Sequence, residues 1–243
     1  MAPHFLLPVM AFFAGMTPLL AADSPIPGSL TKATAKVKSD EGSATTLSYW
    51  TYLPKAAKPE AGWPLLVFLH GSGERGTDLN LVKKHGPPKL AGDKPELESF
   101  LMIAPQCPLG RWWDTVAVKD LIDQTVAGQP VDPKRIYITG ISMGGFATWN
   151  LLKEHPEFMA AAVPICGAGD PITVSRFKAV PIWAFHGSQD EAVPVQRSIE
   201  MVEALKKVNA NIKFTLYEGV PHDSWTRTFE NPALYRWLLE QKK

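Results

Sequence analysis

Residues 140–144 read Gly-Ile-Ser-Met-Gly and form the stretch of the chain best suited to chemistry. The preceding residues 135–139 are mostly β-branched or aromatic, which is typical of a strand, and residues 145–155 are typical of a helix. A serine on a sharp turn between the two has its hydroxyl raised into a cleft, with the helix N-terminal dipole directed at it. The glycines let the turn close without a Cβ clash. The pattern therefore predicts a nucleophile at Ser142, in preference to an ordinary turn serine.

A serine hydroxyl needs a base, and the base needs an orienting carboxylate. Two later segments offer them: residues 185–190 (Phe-His-Gly-Ser-Gln-Asp) and residues 219–223 (Gly-Val-Pro-His-Asp). Each follows or ends a predicted strand, so both loops emerge at the carboxyl edge of a parallel sheet. We predict that Asp190 is the acid and His222 the base. Asp170, which follows an earlier strand, is the alternative acid.

The other histidines have structural interpretations. His70 and His186 end strands and precede glycines, so we expect them to hold loops through hydrogen bonds. His155 lies where the helix after Ser142 should end, and His85 lies in a predicted loop.

Acyl transfer also requires two fixed N–H donors for the oxyanion. We assign the backbone N–H of Met143 and that of Ser72, in the loop after a buried strand, with Gly73 as the neighbouring alternative. Glu74 and Arg75 of the same loop are expected to pair and brace it, with substrate contact as the alternative.

This loop also fits a dinucleotide-binding fingerprint. Residues 71–76 read Gly-Ser-Gly-Glu-Arg-Gly, with Asp93 or Glu96 about twenty residues later. However, charged residues stand where a packed helix should begin, and Glu74 would oppose a pyrophosphate. The oxyanion interpretation is therefore favoured.

The chain contains only two cysteines, Cys107 and Cys166. Each follows a predicted strand, and both a disulfide and two buried thiols remain open. No Cys/His spacing typical of a metal site occurs, so we expect neither a metal nor a cofactor.

Composition limits the function classes. The chain has 243 residues, 45% of them apolar and 20% charged, with a net charge of +1. These values predict one α/β domain with a substantial core. No basic stripe is present, which argues against a nucleic-acid or anionic-membrane partner.

The N-terminus has a different character. Residues 5–20 are apolar and uncharged, and small residues follow near Ala22. This pattern predicts a cleaved export signal over residues 1–22 and a catalytic domain over residues 23–243, located in the periplasm or outside the cell. A membrane anchor is the alternative.

The distribution of apolar residues along the rest of the chain predicts the strands and helices that position these residues. Continuous apolar runs predict buried strands, and strands alternate with helices, which favours a mostly parallel sheet covered by helices on both faces. Strands are predicted over residues 31–38, 46–53, 64–70, 100–104, 135–139, 160–165, 181–185 and 212–216. Helices are predicted over residues 116–127, 145–155, 195–208 and 232–240.

With these motifs in place, the chain resembles the α/β-hydrolase superfamily, and within it bacterial esterases of the dienelactone hydrolase and prolyl-oligopeptidase-like group. These relatives include phospholipase/carboxylesterase-like and polyhydroxybutyrate-depolymerase-like proteins. The matching segments are residues 70–76, 104–108, 140–145 and 222–225. The resemblance implies ester hydrolysis, an eight-stranded sheet and no cofactor. Dienelactone hydrolases proper use cysteine where this chain has Ser142.

The sequence thus predicts a serine esterase acting on a small or polymer-linked ester. The segment 167–179 is too short for a large lid, which indicates an open cleft. Trp112, Trp113 and Trp225 are near the predicted site and could stack on sugar or aromatic acyl groups. Trp113 and Trp225 are the candidate substrate contacts, with packing against loops as the alternative. A serine peptidase and a non-catalytic binding protein on the same scaffold are the alternative functions.

Overall fold

A single eight-stranded sheet organises the protein. The computed structural model describes residues 26–208 and 211–243, so the predicted export signal lies outside the described residues. The strands are β1 (Leu30–Lys38), β2 (Ala44–Tyr52), β3 (Trp63–Leu69), β4 (Leu101–Pro105), β5 (Val131–Ile141), β6 (Ala161–Ile165), β7 (Ile182–Gly187) and β8 (Ile212–Tyr217). Their order across the sheet is β1-β2-β4-β3-β5-β6-β7-β8. β1 pairs antiparallel with β2 and β2 antiparallel with β4, whereas all the other pairs are parallel. The predicted sheet is confirmed.

Helices cover both faces of this sheet. They are α1 (Gly86–Leu90), α2 (Thr115–Gly128), α3 (Met143–Glu154), α4 (Gln196–Val208), α5 (Trp225–Glu230) and α6 (Pro232–Glu240). Residues of α2, α3 and α4 share one core with Leu65 and Val67 of β3. Residues of α5 and α6 share the other core with Leu66 and Phe68. Successive side chains of a strand point to opposite faces, so β3 supplies both cores.

The burial of the strands follows their place in the sheet. Every residue of β3 is buried, as its continuous apolar run predicts. β8, at the edge, is only half-buried, as the alternation of apolar and polar residues predicts. Because β3, β5, β7 and β8 run parallel, their carboxyl ends lie at the same edge of the sheet.

Two short helices were not predicted. Gly86, Pro87 and Pro88 form the first turn of α1, where the missing N–H of proline costs no hydrogen bond within the helix. α5 begins at Trp225, only three residues after His222, and is too short to show a periodic apolar pattern.

No helix among residues 26–208 and 211–243 combines the length and the apolar character needed to cross a bilayer.

Candidate active site

Ser142 occupies a strained turn between β5 and α3. Its backbone has φ 51° and ψ −115°, a region that non-glycine residues rarely adopt. The helix begins at Met143, two residues earlier than predicted. Ser142 itself is half-buried, and its N–H donates to the Ile165 carbonyl of β6 at 3.0 Å. The turn therefore projects the hydroxyl from the sheet edge, as the sequence pattern predicts.

The glycines beside Ser142 are required by close backbone approach. A Cβ on Gly144 would lie 2.0 Å from the Leu69 carbonyl oxygen, and one on Gly140 would lie 2.2 Å from the Gly144 carbonyl oxygen. Helix α3 can thus rest directly on the end of β3. This contact fixes the position of Ser142 relative to the loop that follows β3.

Three side chains that are distant in sequence converge at this edge. His222 Nε2 lies 2.9 Å from Ser142 Oγ, and His222 Nδ1 lies 2.7 Å from Asp190 Oδ2. A carboxylate only accepts hydrogen bonds, so Nδ1 carries the proton and Nε2 is free to accept the serine proton. This arrangement has the hydrogen-bond order that nucleophilic catalysis by serine requires.

Asp190 is held mainly by the backbone of its own loop. Its side chain is fully buried, and Oδ1 accepts hydrogen bonds from the N–H groups of Ala192 at 2.9 Å and Val193 at 2.8 Å. The alternative acid, Asp170, is exposed and caps a 3₁₀ helix by accepting from the Ile172 N–H. The structure thus brings Asp190, the residue predicted as the acid, to His222.

A second imidazole contacts the same carboxylate. His186 Nε2 lies 3.1 Å from Asp190 Oδ2 and 2.9 Å from the Val193 carbonyl oxygen, while Nδ1 lies 2.7 Å from Ser198 Oγ. Burial lowers the pKa of His186, which favours the neutral ring with its proton on Nε2. His186 holds the loop, as predicted, and it also supplies a donor to Asp190.

The two segments that carry the predicted oxyanion donors, the loop after β3 and the start of α3, border Ser142. A Cβ added to Gly71 would lie 3.6 Å from Ser142 Cβ, so the loop after β3 packs against the turn. Ser72 starts a 3₁₀ turn and Met143 starts α3, and the first N–H groups of a helix have no partner within it. Gly73, the second residue of the 3₁₀ turn, remains the alternative to Ser72.

The expected pairing of Glu74 with Arg75 is wrong. Arg75 Nε donates to the Ser72 carbonyl at 3.0 Å, which braces the loop without Glu74. Glu74 is turned inward, where its carboxylate lies 3.8 Å from His85 Nε2. The carboxylate of Glu74 thus lies next to His85, whereas the Arg75 guanidinium donates to backbone carbonyls.

Comparisons with known proteins agree with this geometry. Residues 114–234, which include Ser142, Asp190 and His222, match the phospholipase/carboxylesterase family. The crystal structure of a thermostable esterase superposes with a TM-score of 0.78 at 36% identity, covering 88% of this chain and 63% of that one. The chain belongs to the α/β-hydrolase superfamily. Among the other proteins similar to this chain, a bifunctional acetylxylan esterase/xylanase of Neocallimastix patriciarum is 29% identical over 153 residues. The match covers 60% of this chain and 22% of that protein. A carboxylesterase of Arabidopsis thaliana is 28% identical over 112 residues, 43% of this chain and 48% of the relative.

This chain thus spans less than two thirds of the length of each of these three proteins. The likeness establishes the fold and the superfamily.

The dinucleotide interpretation finds no support in this α/β-hydrolase. The fingerprint requires an α-helix whose N-terminus faces the pyrophosphate. Residues 72–74 form only a 3₁₀ turn, and the next element, residues 79–84, is again 3₁₀.

Trp113 and Trp225, the predicted substrate contacts, pack against different residues of the site. Trp113 is buried, and its indole N–H donates to the His70 carbonyl at 3.1 Å. Trp225 is half-buried, with its ring edge-on to His222 at 5.2 Å between centroids and its N–H directed at His85 Nδ1. Both rings therefore support the residues of the site through packing.

The two cysteines are free and buried. Burial raises the pKa of the Cys107 thiol to about 11 and that of the Cys166 thiol to about 12, so both are protonated near neutral pH. Cys166 lies close to the site: its sulfur, an Asp190 oxygen and a His222 nitrogen all lie within 4.8 Å of one another. Since the carboxylate and the imidazole already bond each other, this cluster follows from the triad geometry.

Substituting alanine for Gly144 is expected to destabilise the α/β-hydrolase by about 3 kcal/mol or more, because the new Cβ would overlap the Leu69 carbonyl. The matched control is Gly128→Ala in α2, where an added Cβ meets nothing within 4 Å. Urea unfolding of both variants measures the difference. Equal free energies of unfolding would show that α3 can move away from β3.

Acid is expected to destabilise the protein through His70. This buried ring has Nδ1 2.6 Å from the Gly71 carbonyl oxygen, and Nε2 accepts the Cys107 N–H at 2.9 Å. Protonating Nε2 would remove that acceptor, and burial lowers the pKa of His70 to about 4. Between the ordinary pKa of about 6.5 and that value, the unfolded chain binds a proton that the folded protein does not.

The free energy of unfolding should therefore fall as the pH falls through this window, by up to about 1.4 kcal/mol per pH unit. Urea denaturation at several pH values measures the slope. His70→Gln removes the titrating group and should flatten it. An unchanged slope in that variant would assign the acid sensitivity to other groups.

Proposed function

We propose that this α/β-hydrolase is a serine esterase, which hydrolyses carboxylic esters through an acyl-enzyme intermediate. The observation that carries the proposal is the position of His222, within hydrogen-bond distance of both Ser142 Oγ and Asp190 Oδ2. In the proposed reaction His222 Nε2 takes the proton of Ser142 as Oγ attacks the ester carbonyl. The charge of the tetrahedral oxygen is held by the N–H groups of Met143 and Ser72.

The same imidazole completes both halves of the reaction. His222 returns the proton to the leaving alcohol as the carbon–oxygen bond breaks, which leaves the acyl group on Ser142. It then takes a proton from water, whose oxygen attacks the acyl carbon, and the acid departs while Ser142 recovers its proton. Each proton taken up by the ring is given back, so the cycle needs no cofactor.

The names of the proteins that this chain resembles support an ester, and not an amide, as its substrate. The matching family and the relatives described above are named as esterases or carboxylesterases. One of them is named an acetylxylan esterase, which supports an ester of a sugar hydroxyl as the substrate. Between β6 and β7 the chain has only a short 3₁₀ helix, Pro171–Phe177, so a bulky or polymer-linked alcohol can approach Ser142.

We also propose that residues 1–22 are an export signal and that the mature enzyme acts in the periplasm or outside the cell. N-terminal sequencing of protein recovered from a bacterial host tests this, and a retained Met1 would contradict it.

The function is tested by fluorophosphonate labelling together with a panel of p-nitrophenyl esters and a peptide p-nitroanilide. We expect label on Ser142 and turnover of the esters well above that of the anilide. Absence of label would indicate a non-catalytic binding protein, whereas faster cleavage of the anilide would indicate a peptidase.

A further inference from the structure

A cleft beside the candidate active site has no role in the proposed hydrolysis. It has a volume of about 520 Å³ and lies between the turn that joins β1 to β2 (residues 39–43) and the segment from Cys107 to Val118. Its floor includes the apolar side chains of Leu47 and Val118. We call it the hairpin cleft.

The hairpin cleft borders residues that hold the loop carrying Ser72, one of the two proposed oxyanion donors. The Cys107 N–H donates to His70 Nε2 at 2.9 Å, and the Trp113 indole donates to the His70 carbonyl at 3.1 Å. Arg75 Nη1 donates to the Arg111 carbonyl at 3.2 Å. A ligand in this cleft would therefore lie next to the loop that borders Ser142.

Trp112 gives the cleft an exposed aromatic surface. The side chain is 65% exposed, although its neighbour Trp113 is buried. The Trp112 ring stands edge-on to Phe146, with 5.9 Å between centroids and an angle of 74°. Phe146 lies in the first turn of α3, where its N–H donates to the Ser142 carbonyl. The indole thus contacts a residue four positions after the nucleophile and remains largely open to solvent.

The charges of the cleft disfavour an anionic ligand. Three carboxylates, those of Asp40, Glu41 and Asp114, line it together with one guanidinium, that of Arg111. Arg111 is paired with Glu41 at 2.7 Å, and Asp114 accepts the N–H groups of Asp40 and of Ala117 at the start of α2. The excess of negative charge repels phosphate and carboxylate groups, while these fixed polar atoms can still exchange hydrogen bonds with hydroxyl groups.

A flat aromatic face beside charged hydrogen-bonding groups matches the chemistry of a neutral sugar. A pyranose ring presents C–H groups on its faces and hydroxyl groups around its rim. The faces pack against aromatic rings, and the rim exchanges hydrogen bonds with carboxylates and guanidinium groups.

We propose that the hairpin cleft is a saccharide-binding subsite, in which Trp112 stacks on a neutral sugar unit of the ester substrate while the ester bond reaches Ser142. This assignment rests on the proposed esterase function and adds to it the location of the sugar.

The test measures binding without turnover. Acetylated xylo-oligosaccharide is titrated by calorimetry into Ser142→Ala protein, and then into the same protein carrying Trp112→Ala, Trp112→Phe or Ile172→Ala. Loss of the stacked ring should raise the Kd about tenfold, and phenylalanine should restore part of the affinity. Ile172, which is 90% exposed and lies outside the cleft, is the matched control, and its variant should bind like the parent.

A second measurement connects the cleft to selectivity. In the enzyme with Ser142 intact, Trp112→Ala should lower the ratio of kcat/KM for the acetylated xylo-oligosaccharide to that for p-nitrophenyl acetate about tenfold. Affinity for the oligosaccharide should also be insensitive to salt, because a neutral ligand is not screened.

The subsite is ruled out if the parent protein does not bind the oligosaccharide, or if Trp112→Ala and Ile172→Ala have equal effects. It is also ruled out if high salt abolishes binding of the oligosaccharide, because stacking of a neutral sugar on Trp112 is not screened by salt. Hydrolysis of p-nitrophenyl acetate by the wild-type enzyme decides the esterase proposal separately.

Discussion

Replacing Ser142 by alanine is expected to lower kcat for p-nitrophenyl acetate about 10⁴- to 10⁶-fold and to leave the fold intact. The proposed reaction requires a covalent bond from Ser142 Oγ to the acyl carbon. In the described part of the chain, no other hydroxyl is hydrogen-bonded to His222 Nε2 and could replace Ser142. Alanine fits the turn because only the oxygen is removed. The remaining activity would come from substrate binding and from the oxyanion donors.

Single-turnover and steady-state assays measure this loss, and a fluorophosphonate probe should no longer label the variant. Ser175→Ala is a suitable control, since Ser175 is exposed in the 3₁₀ helix between β6 and β7. Near-normal hydrolysis by the Ser142 variant, at an unchanged melting temperature, would refute the proposed nucleophile.

The second large effect is expected from Asp190→Asn, which should lower kcat/KM about 10⁴-fold. The backbone decides how the new amide is oriented. Oδ1 already accepts the N–H groups of Ala192 and Val193, so the asparagine oxygen must take that place and its NH₂ group must replace Oδ2. The NH₂ group then faces His222 Nδ1, as Oδ2 does now at 2.7 Å.

An amide donor at that position makes Nδ1 an acceptor and moves the ring proton to Nε2. His222 can then no longer accept the proton of Ser142, although every heavy atom stays in place. The NH₂ group also faces His186 Nε2, which therefore loses Oδ2 as an acceptor and keeps the Val193 carbonyl oxygen.

Asp170→Asn is the matched control, because Asp170 was the alternative acid and caps a surface 3₁₀ helix. We expect that variant to keep the wild-type kcat/KM within about twofold. If Asp190→Asn retained more than a tenth of the activity, or if Asp170→Asn lost as much, the acid would be assigned wrongly.

Much of this arrangement could be predicted from local patterns. The β-branched run before Ser142 and the close-packing glycines around it define a strand–turn–helix unit within a few residues. Asp190 and His222 follow buried strands, and parallel strands bring their loops to one edge of the sheet. These inferences need only the period of the apolar residues and the direction of the strands.

Other features depend on contacts that local patterns do not encode. The contact of His186 with Asp190 arises because the loop after β7 turns back on itself. In the sequence, the only sign of this contact is that the two residues are four positions apart. Helix α3 begins at Met143 because packing on β3 outweighs the poor helix propensity of two successive glycines. The inward position of Glu74 brings its carboxylate next to His85, which belongs to a separate loop.

The way in which Asp190 is held determines which neighbours can change. Its Oδ1 atom is bound by main-chain groups, so the side chains at positions 191 and 192, both exposed, contribute nothing to that anchoring. Substitutions at these two surface positions should therefore accumulate freely among homologous enzymes. Proline at position 192 is the exception, since it would delete one of the two amide hydrogens and release the carboxylate from its fixed orientation.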